Sequence, residues 1–152
     1  MARASSQWQT FHPARPVLLI FTGAHAYISP ALYRRESAVP TWNYSAVYVT
    51  ALPQVLPAGE ATMQVLTQTV QAVEALRGTR WDTAALGGMS ASLERFHHIA
   101  GDIVAFSLQV ATVQAVFKLS QDLPDQLWKR VHDGLAADPK SAQVARDMAQ
   151  FR

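Results

Sequence analysis

The chain has 152 residues, 49% of them apolar and 16% charged, which suits one globular domain and excludes a disordered or low-complexity chain. Thirteen Lys and Arg against eleven Asp and Glu give a formal net charge of +2. The basic residues fall in separated pairs such as Arg34-Arg35 and Lys129-Arg130, not in a phosphate-tracking stripe, so direct nucleic-acid binding is not expected. Cysteine is absent, which removes disulfide staples and thiolate metal sites, and the longest early apolar run, Val17 to Phe21, is too short to cross a bilayer. The expectation is a cytoplasmic chain with no membrane partner and no metal.

The first half reads as strands separated by glycine and proline. Val17-Leu18-Leu19-Ile20-Phe21 is a continuous apolar run of the kind buried on both faces, and it stops at Thr22-Gly23. Ala26-Tyr27-Ile28-Ser29 forms a short second strand ended by Pro30, and a polar connection follows, carrying Tyr33, Arg34, Arg35 and Glu36. From Trp42 to Thr50 aromatic and branched residues alternate with smaller ones, which predicts a third strand with two used faces.

Pro53 and Pro57 punctuate a loop, after which Met63, Leu66, Val70, Val73 and Leu76 recur every three or four residues and mark an amphipathic helix. Gly78 is placed to close it. A loop with Trp81 and the Gly87-Gly88 pair leads to a second helix with Leu93, Phe96 and Ile99 on one side, so a helical hairpin beside the sheet is expected. After Gly101 the apolar set is Val104, Phe106, Leu108 and Val110, and beyond Thr112 it becomes Val113, Ala115, Phe117 and Leu119. A period of two that slips by one residue calls for a bulge or turn near residues 111–114. Ser120 or Asp122 is placed to cap a helix with Pro124 in its first turn and Leu127, Val131 and Leu135 on its buried face, and Pro139 and Ser141 restart a last helix through Val144 and Met148.

One segment does not fit an ordinary core. Val39-Pro40-Thr41-Trp42-Asn43-Tyr44 crowds two aromatics, a hydroxyl and an amide onto the mouth of a strand. Such side chains stack on a planar heterocycle and hydrogen-bond its polar edge, as in a largely apolar cofactor site with a few placed polar groups. The plainer alternative is that Trp42 and Tyr44 are large strand residues with satisfied polar tips. His97 and His98 are adjacent on a predicted helix, about 100 degrees apart, so they do not share one ion.

Three motifs in order, Ala26-Tyr27-Ile28-Ser29-Pro30, Val39-Pro40-Thr41-Trp42-Asn43-Tyr44 and Phe117-Lys118-Leu119-Ser120-Gln121, resemble those of the PaiB-like FMN-binding family, whose members carry a negative transcriptional regulator label. The opening Ala2-Arg3-Ala4-Ser5-Ser6-Gln7-Trp8 and the tail through Val144-Ala145-Arg146-Asp147-Met148 are similar to that family's segments too. The resemblance implies an α+β fold, a split β-barrel related to flavin reductases and pyridoxamine phosphate oxidases, with a helical hairpin insertion and C-terminal helices. It implies a single domain over residues 1–152, with barrel strands in about 13–52 and 102–120 and helices in about 60–77, 89–99, 123–136 and 141–150. A homodimer with flavin near the subunit interface is implied as well. Met1 aligns inside the family pattern, so the family's N-terminal segment is expected to be lacking. Ser5-Ser6 stands where Asn-Pro is usual, Asp122 where Asn is usual, and Ala51 where Gly is common.

FMN calls for cations or donors at its phosphate, hydrogen-bond partners at its pyrimidine edge and a flat wall for its ring. By resemblance Arg3 and Lys118 are candidates for the phosphate with Ser120 and Thr41 as neutral donors, and Trp42 and Tyr44 for the wall. Asn43 and Gln121 are candidates for the pyrimidine edge or ribityl hydroxyls, and Tyr27 and Ser29 adjoin the cluster; His25 is a weaker candidate for flavin contact. Each has a plainer role: Lys118 as a strand-end lysine reaching water, Asn43 and Gln121 satisfying local backbone, Ser29 as a turn cap. No side chain stands out as a catalytic base. The function implied is FMN binding, in an FMN-dependent oxidoreductase or a transcriptional regulator; the alternative is a truncated, dimerising relative that binds no flavin.

Overall fold

The computed structural model describes residues 1–34, 38–79 and 90–152. The expectations resting on Arg35, Glu36, Trp81, Gly87-Gly88 and the side chain of Leu93 lie outside the described residues. Three strands, β1 (Val17–Ile28), β2 (Thr41–Val55) and β3 (Phe106–Lys118), form one open antiparallel sheet in the order β1-β2-β3. Among the described residues five α-helices accompany them: α1 (Pro30–Tyr33), α2 (Glu60–Leu76), α3 (Ser90–Gly101), α4 (Asp125–Ala136) and α5 (Ala142–Gln150). The fold is α+β. These three strands alone do not close a barrel.

The strands differ from the sequence reading in three ways. The stop at Thr22-Gly23 is absent, because β1 runs unbroken from Val17 to Ile28. Gly23 marks a close approach instead of a turn: a Cβ there would lie 2.1 Å from Ser45 Oγ. Pro53 does not end β2, which continues to Val55, since proline's fixed φ is compatible with extended backbone. The phase slip near residues 111–114 does not divide β3. It instead leaves apolar side chains in water, with Val110, Val113, Val116 and Phe117 exposed. The run in β1 is likewise not buried on both faces, for Leu18, Ile20 and Phe21 are each more than half exposed.

The chain divides into two compact units, one of Met1–Val17 and Ala51–Ala111, the other of Leu18–Thr50 and Thr112–Arg152. In the first, a backbone bridge pairs Ala2 with Ile103, and Arg3 N donates to Asp102 O at 2.7 Å. Phe11 meets Phe106 edge to face at 5.1 Å. Helix α2 packs against α3 and ends in a left-handed Gly78 (φ 71°), the conformation glycine adopts without a Cβ penalty.

The second unit holds a core of Ala26, Ile28, Tyr33, Leu119, Val131, Leu135, Val144, Ala145 and Met148. Val131 and Leu135 on α4, and Val144, Ala145 and Met148 on α5, follow the helical three-and-four spacing, so each helix turns one apolar stripe inward. Full burial of a Val, Leu or Met side chain contributes about 1.5–3 kcal/mol. Gly134 lets α4 approach α1 closely, since a Cβ there would sit 2.5 Å from Leu32 Cδ2. The predicted caps differ. Pro124, not Ser120 or Asp122, precedes α4, and Ser141 precedes α5 while its hydroxyl donates to Leu135 O at 2.8 Å.

Candidate functional site

Successive side chains of a strand leave opposite faces, and the mouth of β2 uses both. Asn43 turns inward and is 1% exposed. Its Nδ2 lies 3.4 Å from Met148 Sδ, and its Oδ1 accepts from Ser120 Oγ at 3.0 Å. Beside it, Thr41 Oγ1 accepts from Lys118 Nζ at the end of β3. Strand pairing therefore brings residues 41–43 to residues 118–120 from 77 positions away. Gln121 closes the end of β3, donating from Nε2 to Phe117 O at 2.6 Å and accepting from Leu119 N at 2.8 Å. Ser120 sits in the left-handed region (φ 59°), which turns the chain out of the strand while its hydroxyl points inward.

Trp42 leaves the opposite face and is half exposed, as is Tyr27 on β1. Their rings meet edge to face at 5.7 Å, and the His25 ring lies 6.2 Å from Trp42. Edge-to-face packing sets the positive rim of one ring against the negative face of the other and leaves ring surface for a third planar group. His25, Tyr27 and Trp42 line a concavity of about 420 Å³, together with Ser29, Leu32 and, from the turn between α4 and α5, Asp138, Lys140 and Ser141. That volume lies within the range of small-molecule sites. Ser29 caps α1 by accepting from Ala31 N at 3.3 Å and keeps its own hydroxyl proton to donate. Tyr44 is partly buried in β2.

Arg3 belongs to the other unit, where Nε donates to Gly101 O at 2.8 Å and a terminal nitrogen to Ile103 O at 3.2 Å, tying the opening segment to the end of α3. A larger hollow of about 510 Å³ lies along α4, lined by Asp125, Trp128, Lys129, His132, Asp133 and Arg152. Its charges are satisfied among themselves: Asp133 pairs with Lys129 at 2.7 Å and with His132 at 3.1 Å, and Arg152 pairs with Asp125. The Lys129 ammonium, followed by the His132 ring, holds the Asp133 carboxyl below its ordinary value. No charge is left over there for a ligand. In the 420 Å³ concavity, by contrast, no carboxylate among the described residues forms an ion pair with Lys140.

Sequence reasoning did not single out Lys140. The one signal was the Asp138-Pro139-Lys140-Ser141 turn, read as a helix restart. His25, a weak candidate from its position, is a member of the ring cluster.

Two comparisons with known proteins bear on this geometry. Residues 1–112 match the family model described as "Putative FMN-binding domain", a stretch that contains β1, β2 and the ring cluster but ends before Lys118. The chain is also 33% identical over 151 residues to "Protease synthase and sporulation protein PAI 2" of Bacillus subtilis (strain 168), covering 97% of this chain and 69% of that protein. With the motifs at residues 26–30 and 39–44 inside the matched region, the chain belongs to this FMN-binding domain family and is a PaiB-like protein.

Proposed function

We propose that the chain binds FMN, with the flavin ring lying against Trp42 and Tyr27. The observation that carries this reading is the ring pair itself: two large aromatics of the matched residues 1–112, half exposed and edge to face, that open on a concavity of ligand size. The residue types suit the group. Trp42, Tyr27 and His25 offer a flat wall, the Ser29 hydroxyl and Tyr27 phenol offer hydrogen bonds to polar ring edges, and a lysine offers charge for a phosphate. Bound FMN supplies electron or hydride transfer. The chain's part is to hold the ring, limit water on the covered face and set its hydrogen bonds.

A regulatory role draws on the printed name of the Bacillus subtilis relative, which concerns protease synthesis and sporulation. An oxidoreductase role draws on the flavin alone. We infer a homodimer as well: Leu18, Ile20, Phe21, Val110, Val113 and Val116 leave apolar surface on the two edge strands, and a second copy would cover it.

The test is direct. Purified protein is expected to be yellow, or to become so with FMN, and to release FMN on denaturation. Trp42→Ala is expected to weaken FMN about three- to ten-fold. Protein that stays colourless in excess FMN overturns the reading, and reduction of bound flavin by NADH or NADPH separates the oxidoreductase from the regulator.

A further inference from the structure

We propose that Lys140, not Lys118 or Arg3, is the cation that holds the FMN phosphate; this rests on the flavin reading above. A flavin has one ring and one phosphate on a short ribityl chain, so the ring wall and the phosphate cation must open on the same hollow. The wall residues Tyr27 and Trp42 share their hollow with Lys140. Lys118 does not line it: its ammonium is engaged with Thr41, whose side chain leaves β2 on the face opposite Trp42. Arg3 is committed to the carbonyls of Gly101 and Ile103 in the other unit.

Lys140 is suited to the task by what surrounds it. It is exposed, and no carboxylate among the described residues is in ion-pair contact with its ammonium. Asp138 also lines the hollow, and its Oδ1 accepts from the backbone N–H of Lys140 at 3.0 Å, which fixes the turn that presents the lysine. Ser141 lines the hollow too, but its hydroxyl donates to Leu135 O, so the charge must come from Lys140. A phosphate monoester carries close to two negative charges at neutral pH and takes charge-assisted hydrogen bonds from an ammonium. Riboflavin is the same ring system without the phosphate.

The experiment compares FMN with riboflavin, titrated by flavin fluorescence into wild type, Lys140→Ala and Lys118→Ala. Lys140→Ala is expected to weaken FMN about ten-fold or more and leave riboflavin unchanged, removing the preference for the phosphorylated form. Lys118→Ala is expected to keep it. Both lysines are exposed, and unchanged thermal transitions verify that the folds are intact. A wild-type FMN-to-riboflavin ratio in Lys140→Ala, or loss of that ratio in Lys118→Ala alone, overturns the assignment while flavin binding stands. Wild-type protein that binds neither flavin overturns the flavin reading itself.

Discussion

The Ser120 hydroxyl donates to Asn43 Oδ1 at 3.0 Å, a buried bond that joins the end of β3 to the start of β2. Asn43 sits where an ordinary core would place hydrocarbon, and its amide group is occupied at both ends, by Ser120 and by Met148 Sδ. A buried polar group of this kind is tolerated only while it is paired. Asn43→Ala is expected to destabilise the chain by about 1–3 kcal/mol, and Ser120→Ala by a similar amount, since each strands the other partner. The double variant is expected to cost less than the sum of the singles, as read by denaturant unfolding. Strict additivity would show that the pair is not coupled.

Gly134 lies in the last turn of α4, where glycine costs up to about 1 kcal/mol relative to Ala, and the close approach of Leu32 leaves no room for a Cβ there. Gly134→Ala gains helix propensity but pushes on Leu32 Cδ2, so the net change is expected to stay within about 1 kcal/mol. Gly134→Val adds more bulk with a smaller propensity gain than Ala and is expected to destabilise by about 1–3 kcal/mol in thermal or chemical denaturation. A neutral Gly134→Val would mean that α1 gives way freely.

Asp133 provides a pH test. Its carboxyl is lowered in the folded chain, chiefly by the hydrogen bond from Lys129 and then by that from His132. A group lowered by folding adds stability above its unfolded value, near the ordinary 3.8, and loses that contribution as pH falls through the folded value. The site is open to solvent, so the effect is small. Asp133→Asn is expected to lower the melting temperature slightly at pH 6, and the difference from wild type is expected to shrink as the pH falls below 3.8. A difference that grows on acidification would reverse the sign and refute the assignment.

The apolar edge strands give a prediction about assembly. Val113→Lys and Phe21→Lys place charge on side chains that are already more than half exposed, so a monomer loses little. If a second copy covers these strands, both variants are expected to sediment as monomers while wild type sediments as a dimer. Wild-type protein that is monomeric at high concentration would remove the second copy from the account.

Much of this was legible in the sequence because it depends on local periodicity. The three-and-four spacing from Met63 to Leu76 places a helix where α2 occupies Glu60–Leu76, and Leu127, Val131 and Leu135 do the same for α4. Strand ends were harder. Gly23 and Pro53 carry local signals for a break, and both lie inside strands because contacts distant in sequence, and proline's tolerance of extended backbone, outweigh those signals. The spacing of residues 41–44 marked a chemically unusual strand mouth, yet alternation along β2 assigns Asn43 and Trp42 to different surroundings, one packed and one open. Lys140 carried no motif. Its relation to Trp42 arises only when α4 and α5 fold back beside β1, which no short-range pattern records.

The left-handed backbone at Ser120 narrows which amino acids that position accepts. Glycine would relax the torsion but remove the hydroxyl that Asn43 needs, whereas threonine or valine would keep bulk at a conformation that branched residues avoid. Alanine satisfies neither demand. Asparagine or aspartate tolerates the torsion, at the expense of extra volume in a tight interior corner. A serine there reconciles an awkward bend with an internal donor, so replacements at this residue should be rarer than its small size alone would suggest.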